Sequence, residues 1–338
     1  VELVTGPGQG RGETLGELGE AAVLRRIFPR LPDAAVALIG PGDDAAVLAA
    51  PDGRYVVTTD TMVHGPDFRL AWSTPHDLGW KAAASNLADV AAMGARATAL
   101  LVAVAAPPDT DVSVLEGLAD GLRDACIELA PGCGVVGGDL SVSPALVIAV
   151  TAFGDLEGRD AVLRSGARAG DTVAVSGSLG LAGEGLALLF ERGVDADGAP
   201  DASRAEALRV EFPAALAAQL TPRPPLADGV AAALAGATSM LDISDGLAID
   251  ARRIADASGV AIDLDSSAVG SPIALAGGED HALLATFPTG AFLAGTELPG
   301  GFRRIGAVST GSGLTVDGRP YTERGGWDPY DGWDGSAG

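Results

Sequence analysis

Seven aspartates carry the clearest chemical signal in this chain: Asp43, Asp44, Asp60, Asp89, Asp139, Asp242 and Asp245. Most of them follow an apolar run directly. Tyr55-Val56-Val57 leads into Thr58-Thr59-Asp60, Val135-Val136 into Gly137-Gly138-Asp139, and Met240-Leu241 into Asp242-Ile243-Ser244-Asp245-Gly246, while Gly42-Asp43-Asp44 precedes the run Ala45 to Ala49. Such runs read as strands whose ends carry carboxylates, and strand ends in α/β folds share one edge where side chains can converge. Two carboxylates about 4 Å apart repel by about 4 kcal/mol at an effective dielectric near 20, so a cluster of them must hold cations or bind protons. All-oxygen ligands without His or Cys suit Mg²⁺, and Thr58 and Thr59 can add hydroxyl or carbonyl oxygens. Taken singly, each Asp could instead cap a helix or a turn, as Asp245-Gly246 invites.

Magnesium held by carboxylates points to a phosphate ligand, because Mg²⁺ is rarely caged by protein alone. A Walker-type loop is excluded: Lys81, the only lysine, is followed by Ala82, so no G-x-x-x-x-G-K-[ST] exists. There is no H-R-D or D-F-G either, which removes protein kinases. Phosphates must then be held by metal, backbone N–H groups and arginine. The glycines from Gly177 to Gly185 are a candidate cradle, although tight helix–strand packing explains such glycines as often. Arg164, in the turn Leu163-Arg164-Ser165-Gly166, is a candidate clamp, with a solvated surface arginine as the alternative.

The elements that must position these groups alternate along the chain. Residues 13–28 have helical spacing after a Thr14 cap, 76–93 and 111–130 read as helices, and 98–104 and 145–153 as strands. A second unit begins near Gly154: a strand at 171–175, an Ala/Leu helix through Phe190, helical segments at 206–220 and 225–235, a strand at 240–243 and a helix through Ala257. The Gly/Asp/Ala-rich residues 192–205 read as a mobile loop, and the tail from Gly311 has little periodicity. The expected organisation is two α/β units, 1–153 and 154–338. A length of 338 residues gives each unit enough chain for its own core.

Composition closes off several functions. The balance of 22 basic against 45 acidic residues, a net charge of −23, argues against nucleic acid or an anionic membrane as partner. The longest apolar run, Ala97 to Ala106, is far below the ~20 residues of a membrane span, and the first twelve residues lack a signal-peptide pattern. Cys126 and Cys133 make no C-x-x-C and read as buried reduced thiols. A cytoplasmic protein is expected.

Seven segments in order, Gly40-Pro-Gly-Asp-Asp-Ala-Ala-Val47, Thr58-Thr-Asp-Thr61, Asn86-Leu-Ala-Asp-Val-Ala-Ala-Met-Gly94, Gly137-Gly-Asp139, Arg164-Ser-Gly166, Asp242-Ile-Ser-Asp-Gly246 and Gly277-Gly-Glu-Asp280, closely resemble the bacterial thiamine-monophosphate kinase family of the aminoimidazole-ribonucleotide-synthetase-like superfamily. The resemblance spans about residues 13–334. It implies a two-domain fold, an N-terminal ATP- and Mg²⁺-binding and dimerisation domain with a mixed sheet followed by a C-terminal α/β domain. The implied reaction is ATP-dependent phosphorylation of thiamine phosphate to thiamine diphosphate by a homodimer. It further implies that Asp44, Thr58, Thr59, Asp60, Asp89, Asp139, Asp242 and Asp245, together with the neighbouring Asp43, surround several Mg²⁺ ions. Gly138, Asp139, Arg164 and Ser244 would contact ATP, with Asp60, Asp139 and Arg164 carrying catalysis, and Glu279 would contact the acceptor.

The chain departs from the family on the acceptor side. Asp67-Phe68 stands where the family usually has His-Phe, His281 where it commonly has Tyr, and Gly332-Trp333-Asp334-Gly335 replaces a tail ending in Asp-His-Phe. His64 is a nearby imidazole that can substitute for the missing one, and Trp333 can stack on a pyrimidine or anchor the tail. These changes leave two alternatives open: a related kinase with a shifted acceptor, or a nucleotide-binding regulator without turnover.

Overall fold

The computed structural model describes residues 13–40, 46–289, 297–323 and 325–326. Asp43, Asp44 and Trp333 therefore lie outside the described residues. Thr14 caps the first helix in a reciprocal capping box with Glu17, as its position suggests. The helix expected over 13–28 is divided in two, α1 (Leu15–Leu18) and α2 (Glu20–Ile27), because Gly19 adopts φ +71° between them. A short antiparallel pair follows, β1 (Ala37–Ile39) and β2 (Val47–Leu48).

The first layer is built from β3 (Val56–Val63), α3 (Pro75–Ala92), β4 (Arg96–Ala106), α4 (Val112–Leu129), β5 (Gly134–Val142) and β6 (Val147–Asp155). The strands form a mixed sheet in the order β3-β6-β4-β5, antiparallel except for β4 and β5, which the α4 crossover joins in parallel. Helices α3 and α4 cover one face and meet backbone to backbone. A Cβ on Gly79 would stand 2.0 Å from the Leu118 carbonyl oxygen, and one on Gly121 would stand 2.0 Å from that of His76. On the opposite face the segment of β1 and β2 packs Val36, Ala37 and Leu48 against Ala99, Val136 and Phe153 at one end, and the remainder is open, with Thr59, Thr61 and Asp139 exposed. Cys126 and Cys133 are free and buried in this layer.

The strands do not end at their acids. β3 runs through Thr58-Thr59-Asp60 to Val63, all of it paired to β6, and β5 runs through Asp139 to Val142. The β-branched residues Thr58, Thr59, Thr61 and Val63 keep the chain extended, and alternation then sends neighbouring side chains to opposite faces.

The second layer holds β7 (Thr172–Ser176), α5 (Leu181–Arg192), α6 (Ala202–Glu211), α7 (Pro213–Leu220), α8 (Leu226–Leu234), β8 (Ser239–Ile243), α9 (Leu247–Ser258), β9 (Ala261–Leu264), α10 (Ser266–Val269), α11 (Pro272–Ala276), β10 (Ala282–Phe287), β11 (Arg303–Ser309), β12 (Gly313–Val316) and β13 (Arg319–Pro320). Its seven strands lie in the order β13-β12-β9-β11-β7-β10-β8, antiparallel except for β9 and β12. One face packs Leu241 and Ile243 against Leu247, Ala251 and Ile254 of α9. The other places Met240, Leu283 and Ala285 against Ala92 of α3 and Ala232 of α8. Two short strands, β12 and β13, lie in the tail, where four and two residues give no readable period.

Two sequence readings are corrected here. The segment expected to be a mobile loop, 192–205, is an ordered turn: Val194 bridges Pro200, the Asp195 carboxylate accepts from the N–H groups of Asp197 and Ala199 (both 2.9 Å), and Asp201 caps α6. Trp72 Nε1 donates to the Gly193 carbonyl at 2.8 Å and ties this turn to the first layer. The helix expected over 206–220 is two helices, because Pro213 starts a new one. No helix among the described residues is long and apolar enough to cross a membrane.

Candidate active site at the domain junction

Helix α3 is sandwiched between the two layers, and fourteen of its eighteen residues are buried, so it has no solvent face to carry polar groups. Its polar residues nevertheless recur at four-residue spacing: Lys81, Ser85 and Asp89 form one stripe, and each meets the second layer. Lys81 Nζ donates to Glu279 Oε2 at 2.6 Å, Ser85 Oγ lies 3.2 Å from His281 Nε2, and Asp89 faces Asp242 closely enough for that carboxylate to raise its pKa. Asp242 sits on β8, opposite Leu283, on the sheet face turned to α3. His281 closes the row by placing Nδ1 3.3 Å from Asp242 Oδ2.

Strand β3 adds to this stripe from the first layer. Thr58 Oγ1 donates to Asp89 Oδ2 at 2.8 Å, and the Asp60 N–H donates to Asn86 Oδ1 at 3.1 Å. Asn86, the only asparagine, is buried in α3 and anchors the free edge of β3 at the acid. The electrostatics record crowding. Burial, with Asp242 and Asp60 nearby, pushes Asp89 up to about 7. Burial and then Asp242 raise Asp60, and burial also pushes Asp250 to about 7 against the pull of Arg253. Burial works against charge on His281, but the hydrogen bond to Asp242 and the fields of Asp242 and Glu279 outweigh it and raise its pKa.

The second-layer loop after β8 supplies Ser244 and Asp245. The Ser244 carbonyl accepts from the Glu279 N–H at 2.7 Å, and Asp245 pairs with Arg253 at 2.6 Å, which also reaches Asp250 at 2.7 Å. Gly326 packs so close to this loop that a Cβ there would stand 2.5 Å from the Asp245 carbonyl oxygen.

Other expected members stand apart. The Thr59 hydroxyl is on the opposite sheet face, donating to the Val150 carbonyl and accepting from Thr151 at 3.0 Å, so Thr58 alone brings a hydroxyl to the acids. Asp60 pairs through Val150 and Val102 to Gly138, which puts Gly138 and Asp139 three strands away, about 14 Å across the sheet. Asp139 aligns with Ala103, Ala149 and Thr61 on the open face. Arg164 is exposed on a turn held by Ser258 and lies beside the start of β8, where Met240 N–H donates to Leu163 O. No hydrogen bond among the described residues links its guanidinium to the acids.

The glycine-rich turn before α5 is not a phosphate cradle. The N–H groups of Gly180 and Ala182 already donate to the buried Asp280 carboxylate at 2.5 and 3.1 Å. Gly180, Gly183 and Gly185 are small because α11, Gly277 and α7 press on them.

Next to the acid row lies a cavity of about 100 Å³, lined by Asp67, Trp72, Lys81, Phe190, Gln219 and Glu279 among others. Asp67 Oδ2 accepts from the Val63 N–H at 2.7 Å, and burial followed by Glu279 raises its pKa. Burial works against charge on Glu279, at φ +65°, but Lys81, then His281 and Gln219, hold its pKa below the usual range. Trp72 and Phe190 meet edge to face at 5.0 Å with the Arg69 guanidinium over both rings. His281 is not a wall of this cavity: its ring belongs to the acid row. His64 packs on Phe68 at 5.6 Å. Sequence reading overlooked Ser85, Gln219, Asp250 and Asp280. Ser85 left a signal in the spacing 81, 85, 89 and Asp280 in the Gly277–Asp280 segment, whereas Gln219 and Asp250 left none.

The donors suit Mg²⁺ in kind, being carboxylate and hydroxyl oxygens. Among the described residues no three acids, histidines or cysteines converge closely enough to enclose an ion by themselves. Mg²⁺ typically takes only one or two carboxylates from a protein and completes its shell with phosphate and water.

The AIR synthase related protein family matches in two pieces, its N-terminal domain over residues 42–156 and its C-terminal domain over 168–297. The thiamine-monophosphate kinase of Mycobacterium tuberculosis H37Rv is 42% identical over 335 residues, 94% of this chain and 93% of that protein. That of Corynebacterium glutamicum is 42% identical over 318 residues, covering 88% of each. Among solved structures, the thiamine-monophosphate kinase of Stenotrophomonas maltophilia K279a superposes with a TM-score of 0.74 at 31% identity, covering 88% of this chain and 97% of that one. AaThiL complexed with AMPPCP and TMP gives 0.69 at 31% identity, covering 94% and 99%. On sequence and fold together, the chain belongs to the thiamine-monophosphate kinase family.

Proposed function

We propose that this protein phosphorylates thiamine phosphate to thiamine diphosphate with ATP, by direct in-line transfer at the junction of its two layers. The observation that carries this reading is the polar stripe of α3, which gathers Asp60, Asp89 and Asp242 beside a cavity walled by Asp67 and Glu279. Relatives that share the fold include one complexed with AMPPCP and TMP.

Asp60, Asp89, Asp242 and Asp245, with Thr58, would hold Mg²⁺, as would Asp43 and Asp44. Bound there with ATP, Mg²⁺ supplies the charge neutralisation that phosphoryl transfer requires. Ser244 and Arg164 are assigned to the nucleotide. A phosphate-monoester acceptor has its second pKa near ~6, so at neutral pH its oxygen attacks the γ-phosphorus without a general base. One P–O bond forms, the bond to the bridging oxygen breaks, ADP leaves, and no residue of this chain is phosphorylated. The task of Glu279 and Asp67 is to orient the acceptor.

Asp139 and Gly138 enter this reading through a second copy. The open face of β3-β6-β4-β5, which bears Asp139, is where we place a homodimer contact that carries Asp139 toward the nucleotide. The cytoplasm is the proposed location. A shifted acceptor is the second reading, and it rests on Asp67 in the cavity wall. It no longer draws on His281, which faces the acids.

The test is ³¹P NMR of the purified protein with ATP, Mg²⁺ and thiamine phosphate, alongside a panel of other small phosphates and alcohols. Formation of thiamine diphosphate with kcat/KM at or above ~10⁴ M⁻¹s⁻¹ supports the reading. Turnover of a panel member in its place favours the shifted acceptor, and Mg²⁺-dependent ATP binding without any turnover favours a regulator. Protein mass increased by a phosphoryl group after ATP treatment would rule out direct transfer.

A further inference from the structure

Gln219, on α7, is 4% exposed and lines the cavity beside the acid row. Its Nε2 donates to Glu279 Oε2, on the same oxygen that accepts from Lys81 Nζ. This contact fixes the amide's orientation: turned over, the amide would set its carbonyl against the carboxylate. Oε1 is thereby left buried, and no donor among the described residues reaches it. An orphaned buried carbonyl is costly in the free protein, and a ligand that brings an N–H removes the cost.

We infer that Gln219 is a specificity-determining residue of the acceptor cavity: its Oε1, closed off just behind the cavity wall, is uncovered by a shift of that wall when the acceptor binds and then accepts an N–H from an amino group on the acceptor's ring. The rest of the wall asks for the same chemistry. Asp67 and Glu279 present carboxylates, the Lys81 ammonium is held by Glu279 and the Arg69 guanidinium by the Trp72 and Phe190 rings, which leaves a lining suited to a flat heteroaromatic rich in donors. The 4-aminopyrimidine of thiamine phosphate has that character. The assignment rests on the proposed acceptor.

The experiment compares thiamine phosphate with its analogue in which the pyrimidine 4-amino group is replaced by an oxo group, by steady-state kinetics and by calorimetric binding. The wild-type protein prefers the amino compound by at least about tenfold in kcat/KM. Gln219→Met, which keeps the volume and removes the carbonyl, narrows that preference to within about threefold with the KM for ATP unchanged. Gln219→Asn withdraws the carbonyl by one methylene and loses most of the preference, so the result does not hang on one variant folding. Gln219→Glu keeps an acceptor oxygen but loses the donor to Glu279. It retains the preference, which separates the role of Oε1 from support of Glu279. Equal use of the two compounds by the wild type, or an undiminished preference in Gln219→Met or Gln219→Asn, overturns the assignment and leaves the kinase reading standing. If the wild type neither binds nor converts either compound, both fall together.

Discussion

Replacing Lys81 by methionine removes one charge from the middle of the molecule and keeps most of the side chain's apolar stem. The Lys81 side chain is 7% exposed and its partner Glu279 31%, with Nζ 2.6 Å from Oε2. Breaking a fully buried pair costs about 3–5 kcal/mol, because the remaining charge is stranded. Glu279 keeps some contact with solvent and retains Gln219, so about 2 kcal/mol is expected here. For 338 residues the unfolding entropy is about 0.7 kcal/mol/K, which converts this loss to a Tm lowered by about 3 °C. The pKa of Glu279 is depressed from 4.5, so its contribution is complete above that value and fades only as pH falls through the lower folded value. Calorimetry at pH 7.5 therefore reads all of it. The sharper measurement is a double-mutant cycle with Glu279→Gln, which stays neutral and can still accept from Gln219. The double variant should be more stable than Lys81→Met by about 1.5 kcal/mol, or about 2 °C. Losses that simply add, or a Lys81→Met protein that melts with the wild type, would refute the claim that this pair stabilises the junction.

Asp60→Asn should abolish phosphoryl transfer while leaving the Tm within a few degrees, and turnover within tenfold of wild type would contradict the metal assignment. Because Asp89 lies near 7 in the ion-free protein, its proton competes with Mg²⁺. Apparent Mg²⁺ affinity, read by titration in the presence of ADP, should therefore fall about eightfold between pH 7.5 and pH 6; a flat profile would mean that Asp89 takes no part. Asp280→Asn should lower the Tm by several degrees, since the carboxylate serves two N–H groups at the start of α5. An unchanged Tm would return that helix end to consideration as an anion site. Gly79→Ala should prevent stable folding, because its Cβ would stand 2.0 Å from the Leu118 carbonyl oxygen, and a folded variant would mean that α3 and α4 can separate.

What the residues settle locally was legible without coordinates. Periodicity placed α3, α4, β4 and β6 within a few residues, because each is long enough for several turns or alternations to repeat. The acids announced themselves by type and by the apolar runs before them, and seven motifs in order pointed to the family. Gln219 and Asp250 left no such trace, since their importance lies wholly in what they face.

Face and distance belonged to the tertiary structure. Whether Asp60 and Asp139 share a site depends on how many strands separate them and on the parity of each, and strand order is set by packing between segments far apart in sequence. Burial likewise decided that His281 joins Ser85 and Asp242 and leaves the acceptor wall to others, that Asp280 occupies the α5 terminus, and that Lys81 is spent on Glu279. Sequence supplied the list of oxygen donors. Folding selected which of them meet, because a carboxylate's chemistry depends on the charges and solvent within a few ångströms, and those neighbours come from elsewhere in the chain.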